Sequence, residues 1–367
     1  MKPSSWKKLG AGLLLLTLLA SVAELAASYL YPYLQPLTVR PDPQNRTVCD
    51  DVYRFDEHTG WWPKPNLDCL PQERDSPAIR TNSLGLRADH DYGDKAPGVM
   101  RIGVFGDSFT FADQVQANET YASIIERSVP NVEVLNFGLG GGGPDQSLMA
   151  LRHKAAGLNL DAVIVAPLVE NIVRTQMTDR GGRPKPYFTL VDGQLQAHDY
   201  PVKYQPPPSA PTLRRAVAQG RSLLYDSALW QLTLAAMRPV ALSSGLYNPY
   251  TAYYNGPAGE LLERILLAFR EEAREADLIF APLPTYHYIE YDLAPDYEQV
   301  FRRAAQGTGG TYAHLLPAFK RLTPEQRRAT RFRFDQHYTA LGHRVVGEAL
   351  VPYVRAFQAQ RAGPAGR

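Results

Sequence analysis

The chain has 367 residues, 44% hydrophobic and 21% charged, and its 39 Lys and Arg against 37 Asp and Glu leave a formal net charge of +2. That is enough for one large globular domain or two small ones, and it excludes a chain disordered in bulk. The absence of a polycationic field excludes nucleic acid as a partner.

At the N-terminus, Lys2, Lys7 and Lys8 precede an apolar run from Leu9 to Leu34 that is broken only by Glu24. Basic residues ahead of such a run favour a cytoplasmic N-terminus with the rest exported. If Ser21-Val22-Ala23 is a small-residue cleavage site, the run is a removable signal peptide. Otherwise it is long enough to span a bilayer as an anchor, and the apolar residues continuing from Leu25 to Tyr31 favour the anchor. The expected location is the bacterial cell envelope, periplasmic or extracytoplasmic and tethered to the inner membrane. The membrane is then a partner through residues 1–34.

Residues 35–100 are rich in Pro, Asp, Asn and Arg and read as an irregular N-terminal extension. The extension carries the only cysteines, Cys49 and Cys69. In an exported protein an even pair at short separation reads as a disulfide stapling a loop. The alternatives are two free thiols or, less suited without a neighbouring His, a metal. Trp61-Trp62-Pro63 either stacks on a sugar or covers the core.

From Arg101 onward, apolar β-branched runs alternate with amphipathic stretches. Strands are expected at Ile102–Phe105, Val132–Phe137, Ala162–Ala166, Leu278–Ala281 and Thr311–Leu316. Helices are expected near Glu119–Val129, Pro144–Ala156 and Gly259–Ala276, the last with Leu262, Ile265, Leu266, Phe269 and Ala273 on one face. Such alternation implies an α/β fold with a parallel sheet covered on both sides. It breaks between Arg174 and Gly256, where Pro184, Pro186, Pro201 and Pro206-Pro207-Pro208 mark a long insertion. Insertions of this length are usually functional, and this one reads as a lid or substrate-selecting cap with an amphipathic piece near Leu213–Met237. A final helix from Ala340 to Gln358 closes a domain spanning 101–358, and 359–367 form a tail.

The chemistry gathers at the strand ends. Arg101–Phe105 runs into Gly106-Asp107-Ser108, placing Ser108 at the carboxyl end of a strand, where open α/β sheets keep their ligands. Serine needs a base and a group to orient that base. Phe334-Asp335-Gln336-His337 offers both, with His337 as base and Asp335 as its partner. Acyl transfer also needs donors aimed at the developing oxyanion. Asn136-Phe137-Gly138-Leu139-Gly140-Gly141-Gly142-Gly143 and Pro167-Leu168-Val169-Glu170-Asn171 supply backbone and side-chain N–H groups at two further strand ends.

Gly106-Asp107-Ser108-Phe109, Asn136 to Gly141, Asn171, and Asp335-Gln336-His337 followed by Gly342 resemble the four blocks of the SGNH (GDSL) hydrolases, in that family's order. The resemblance covers roughly Arg101 to Ala356. It implies a three-layer α/β/α flavodoxin-like fold with no metal or cofactor. It also implies a Ser108–His337–Asp335 triad and an oxyanion hole formed by Ser108 N–H, Gly141 N–H and Asn171 Nδ2. Two departures stand out: Val169-Glu170-Asn171-Ile172 replaces Gly-x-Asn-Asp, and one residue rather than two separates Asp335 from His337. The shorter spacing, together with Arg80-Thr81-Asn82-Ser83-Leu84-Gly85-Leu86-Arg87, is similar to exported, signal-anchored members that act as esterases or O-acyltransferases on cell-surface glycans. The implied substrate is an acylated carbohydrate or another ester. A transferase would also need a membrane partner to supply the acyl group.

Other readings compete. Gly138-Leu139-Gly140-Gly141-Gly142-Gly143 satisfies the dinucleotide fingerprint with Glu170 as a loosely placed ribose acid, but that leaves Ser108, Asp335 and His337 without roles. Asp335, His337 and His343 could ligate a metal, although His343 equally suits packing. No Gly-x-Ser-x-Gly elbow is present, which argues against the α/β-hydrolase fold. A catalytically idle, glycan-binding scaffold of the same fold is the remaining class. Arg327, Arg328, Arg331 and Arg333 form either an anionic-glycan patch or a solvated face.

Overall fold

The computed structural model describes residues 19–24, 26–27, 49, 52–70, 77–204, 237, 240–245, 247–333 and 335–361. The chain divides into two compact units, Met1–Pro41 with Pro208–Tyr247, and Asp42–Pro207 with Asn248–Arg367. The first unit is helical at 19–24, 26–27, 237 and 240–243. Among the described residues no helix is long and apolar enough to cross a membrane. Most of the Leu9–Leu34 run, the Leu213–Met237 piece apart from Met237, Phe334 and residues 362–367 lie outside the described residues.

In the second unit the strands are β1 (Tyr53–Asp56), β2 (Gly60–Pro63), β3 (Asp68–Cys69), β4 (Ile79–Arg80), β5 (Met100–Gly106), β6 (Val132–Gly138), β7 (Ala162–Ala166), β8 (Asp179–Arg180), β9 (Arg183–Pro184), β10 (Tyr187–Val191), β11 (Gln194–His198), β12 (Asp277–Phe280) and β13 (Thr311–Tyr312). Five of them form one parallel sheet in the order β13-β12-β7-β5-β6. Counted along the chain, that order is the 2-1-3-4-5 of the flavodoxin-like doubly wound sheet. β5 and β7 are buried at every residue, as expected of central parallel strands covered on both faces.

Parallel neighbours require crossovers, and helices supply them. Helices Tyr121–Ser128 and Ala340–Arg361 pack on each other, while Pro257–Ala273 packs against both Pro144–Lys154 and Glu298–Thr308. Right-handed crossovers put these groups on opposite faces and complete three layers. Pro257 at the first helical turn starts the longest of the second group, where Leu262, Ile265, Leu266, Phe269 and Ala273 are all buried, as their spacing predicts. Burying each of the large ones contributes about 1.5–3 kcal/mol.

The last strand is shorter than expected, ending at Tyr312, because Pro317 opens a helix at Leu316–Lys320. The helix Glu298–Thr308 was not expected, since only Val300, Phe301, Ala304, Ala305 and Thr308 form its buried stripe in a polar stretch. The extension folds as two hairpins, β1–β2 and β3–β4. Cys49 and Cys69 are joined in a disulfide that packs on the cluster of Val52, Ile79 and Phe111. Within the Arg174–Gly256 segment, the described residues of the second unit include the β8–β9 and β10–β11 hairpins and a short helix, Thr251–Tyr254.

Candidate active site

In this sheet order, β5 and β7 flank the point where the winding reverses, and a crevice opens beyond their carboxyl ends. Gly106 closes β5 where no side chain fits: a Cβ there would lie 2.6 Å from Ala166 O of β7 and 2.1 Å from Thr110 Oγ1. Asp107 caps the short helix Ser108–Phe111 by accepting Phe109 N–H at 2.8 Å through Oδ1. Its Oδ2 accepts Leu168 N–H at 2.7 Å and Asn171 Nδ2–H at 2.5 Å. A buried aspartate therefore ties the first block to the third, and Ser108 follows at the cavity wall.

His337 Nε2 lies 2.8 Å from Ser108 Oγ, and His337 Nδ1 lies 2.5 Å from Asp335 Oδ1. With the proton on Nδ1 donated to Asp335, Nε2 is free to accept from the serine hydroxyl. Burial works against charging the imidazole, but the Asp335 carboxylate at its back, through its hydrogen bond and its charge, outweighs it and raises the His337 pKa above its ordinary value. The ring also packs at 4.7 Å on Phe109, in the nucleophile's own helix. The one-residue spacing works because Gln336 is left-handed, with φ +67°, while Phe332 N–H donates to His337 O at 2.9 Å.

The glycine loop after β6 borders the same cavity as Ser108. Gly141 lines the cavity with φ +75°, a conformation that favours glycine. Neither Ser108 N–H nor Gly141 N–H donates to a described residue, so both are available to a ligand. The loop is fixed by its neighbours: Trp61 Nε1–H donates to Gly140 O at 3.0 Å, Arg174 Nη1–H to Gly142 O at 2.7 Å, and Gly143 N–H to Gln146 Oε1 at 3.1 Å. Asn171 is buried, is not part of the cavity lining, and donates one Nδ2 proton to Asp107 Oδ2. All five candidate residues, Ser108, His337, Asp335, Gly141 and Asn171, thus gather at one sheet edge.

Sequence reasoning did not single out Trp61 and Arg174 as loop-holding residues, nor Asp113. Trp61 and Trp62 are 3% and 2% exposed and donate to Gly140 O and Leu84 O, so they cover the core and offer no sugar platform. Asp113 lines the cavity two residues beyond the nucleophile's helix, and burial pushes its carboxyl above the usual range against the pull of His337 and Arg87. The turn that presents Asp113 is held by Arg87, which donates to Phe111 O, Ala112 O, Val115 O and Ala78 O. That gives the Arg80–Arg87 segment a physical role: its last residue braces the loop behind the nucleophile.

The remaining candidates have other roles. His343 is 1% exposed and packs beside Tyr121, and burial pushes its pKa down to about 3. Among the described residues no group of three His, Cys, Asp or Glu side chains is placed to hold a metal. Glu170 accepts Tyr250 Oη–H at 3.1 Å. Arg331 pairs with Glu290, Arg328 with Glu325, and Arg327 donates to the carbonyls of Leu322 and Lys320.

The 2-1-3-4-5 parallel sheet carries these four blocks in this order at its ligand edge, which is the α/β arrangement that the resemblance to the SGNH (GDSL) hydrolases implies. No family model and no curated protein matches the chain. Among solved structures it is similar to a lipase/acylhydrolase from Enterococcus faecalis at 14% identity and a TM-score of 0.39, over 70% of this chain and 96% of that one. It is similar to a member of the lipolytic protein G-D-S-L family from Veillonella parvula at 14% and 0.36, over 69% and 97%. It is also similar to an acetyl xylan esterase at 13% and 0.40, over 70% and 100%.

Proposed function

We propose that this chain is a serine esterase that removes acyl groups, acetyl first among them, from a cell-surface carbohydrate at the bacterial envelope, held to the membrane by its N-terminal run. The observation that carries the reading is the continuous hydrogen-bonded line from Ser108 Oγ through His337 to Asp335 beside unspent backbone donors.

In this mechanism Ser108 Oγ attacks the ester carbonyl carbon as its proton passes to His337 Nε2. Ser108 N–H, Gly141 N–H and the second Nδ2 proton of Asn171 receive the oxyanion. Asp335 holds the imidazolium without taking its proton. Collapse breaks the bond to the sugar oxygen, which leaves with the Nε2 proton, and an acyl-Ser108 remains. Water then attacks the acyl carbon, giving one proton to His337 Nε2, and collapse breaks the bond to Ser108 Oγ, which takes that proton back as the acid leaves.

The test is hydrolysis of p-nitrophenyl acetate and of an acetylated xylo-oligosaccharide by the full chain, with Ser108→Ala alongside. Turnover lost in the variant is the expected result, and full turnover in Ser108→Ala would remove the triad assignment. No turnover in either folded protein, with acetyl appearing on an added sugar when an acyl donor is supplied, would replace hydrolysis by transfer.

A further inference from the structure

We infer that the tip of the β8–β9 hairpin is an anion subsite, and that the ester entering this cavity is borne by an acidic glycan with a carboxylate near the acylated position. The inference rests on the esterase reading for what the cavity does, and on separate observations for what it binds.

The hairpin reads Asp179-Arg180-Gly181-Gly182-Arg183-Pro184 and turns through two residues of positive φ, +61° and +81°, the type I′ pattern. Asp179 Oδ1 accepts Gly182 N–H at 2.9 Å, which orients that carboxylate into the turn. Arg180 and Arg183 are directly opposite each other in the register. Like charges facing across a strand pair are destabilising, and among the described residues neither guanidinium is paired with a carboxylate. Local folding gives no reason for this arrangement, whereas an anionic ligand would.

The hairpin is also rooted to the site. Lys185, the residue after β9, is buried and ion-paired with the fully buried Asp145, which stands two residues beyond the glycine loop. That anchor fixes the hairpin against the segment that carries Gly141. Arg180 lines the cavity, its Cγ 4.0 Å from where a Cβ on Gly141 would lie. Arg174 lines the same side, with one nitrogen committed to Gly142 O.

The acids of the roughly 420 Å³ cavity do not neutralise this side. Asp335 is paired with His337, burial favours the uncharged form of Asp113, and Glu170, which accepts from Tyr250, offsets Arg174, which leaves Arg180 without a carboxylate partner. Beside Gly141 the cavity thus presents the Arg180 guanidinium, whose planar fork suits a carboxylate.

The experiment is calorimetric binding of an unacetylated oligogalacturonide, a xylo-oligosaccharide of equal length and glucose 6-phosphate to the full chain, repeated at rising salt. The oligogalacturonide is expected to bind about tenfold or more tighter than its neutral counterpart, as charged hydrogen bonds allow. That margin should shrink with salt. The R180Q/R183Q variant should lose the discrimination, and R180K/R183K should retain part of it. Equal affinities, or a discrimination that survives R180Q/R183Q in a folded protein, would overturn the inference. Tight binding of the phosphate alone would overturn the carboxylate. Binding is read without turnover, so loss of the esterase reading through Ser108→Ala would leave this result standing, and the reverse also holds.

Discussion

The two sides of Ser108 are built differently. On the base side, the chemistry resides in side chains: Asp335 and His337 come from one short segment, and their hydrogen bonds to each other and to Ser108 complete the line. On the proposed oxyanion side, two of the three donors would be backbone N–H groups, and the direction of the Gly141 N–H is set by what holds the neighbouring peptides. Trp61 from the extension, Arg174 beyond β7 and Gln146 in the following helix each fix one peptide of the glycine loop. Residue identity therefore accounts for the base side, whereas the oxyanion side depends on remote segments reaching the same loop.

Substitutions should separate the two sides by size of effect. Ser108→Ala removes the nucleophile and is expected to lower kcat by about 10⁶-fold, leaving only binding and the oxyanion donors. A residual rate near wild type in the esterase assay would dissolve the comparison altogether. Asp335→Asn comes next, at about 10⁴-fold, because the amide favours the wrong imidazole tautomer. It also carries a pH signature. His337 works as a base when neutral and its pKa is raised, so kcat/KM of the wild type should fall as pH drops through a midpoint above the ordinary imidazole value of about 6.5. In Asp335→Asn the carboxylate that raises the pKa is gone while the burial that lowers it stays, so the midpoint should move to lower pH. A pH profile that does not move would mean that Asp335 does not govern His337.

The same division decides what the sequence could reveal. β5, β6 and β7 are legible because they are short, mostly apolar runs ending in glycine or alanine, and the Gly106-Asp107-Ser108 and Asp335-Gln336-His337 blocks name the base side directly. Asn171 was legible by position even though its block reads Val-Glu-Asn-Ile. Trp61 was visible as an aromatic, but nothing in Trp61-Trp62-Pro63 says that its indole N–H would meet a carbonyl 79 positions away. Arg174 looked like the start of an insertion, since a single arginine carries no sign that its guanidinium ends on Gly142 O. Long-range hydrogen bonds to backbone leave no periodicity and no spacing to read.

The oxyanion side yields smaller effects that test the contrast from within. Asn171→Ala is expected to cost about 100- to 1000-fold in kcat with KM little changed, the signature of a donor used in the transition state. Because Asn171 also donates to Asp107, a variant that loses thermal stability but keeps kcat would instead make the residue a structural tie between blocks. The last test is Trp61→Phe, which keeps a buried ring and deletes only the donor to Gly140 O. One neutral hydrogen bond contributes about 0.5–1.5 kcal/mol, so kcat should fall by roughly tenfold at most, again without a matching rise in KM. If the loop is held by Trp61, the loss should be shared by p-nitrophenyl acetate and the sugar ester alike, since both require the same oxyanion donors. A loss confined to the sugar ester would mean instead that Trp61 serves substrate binding, and the oxyanion loop would then depend on Arg174 and Gln146 alone.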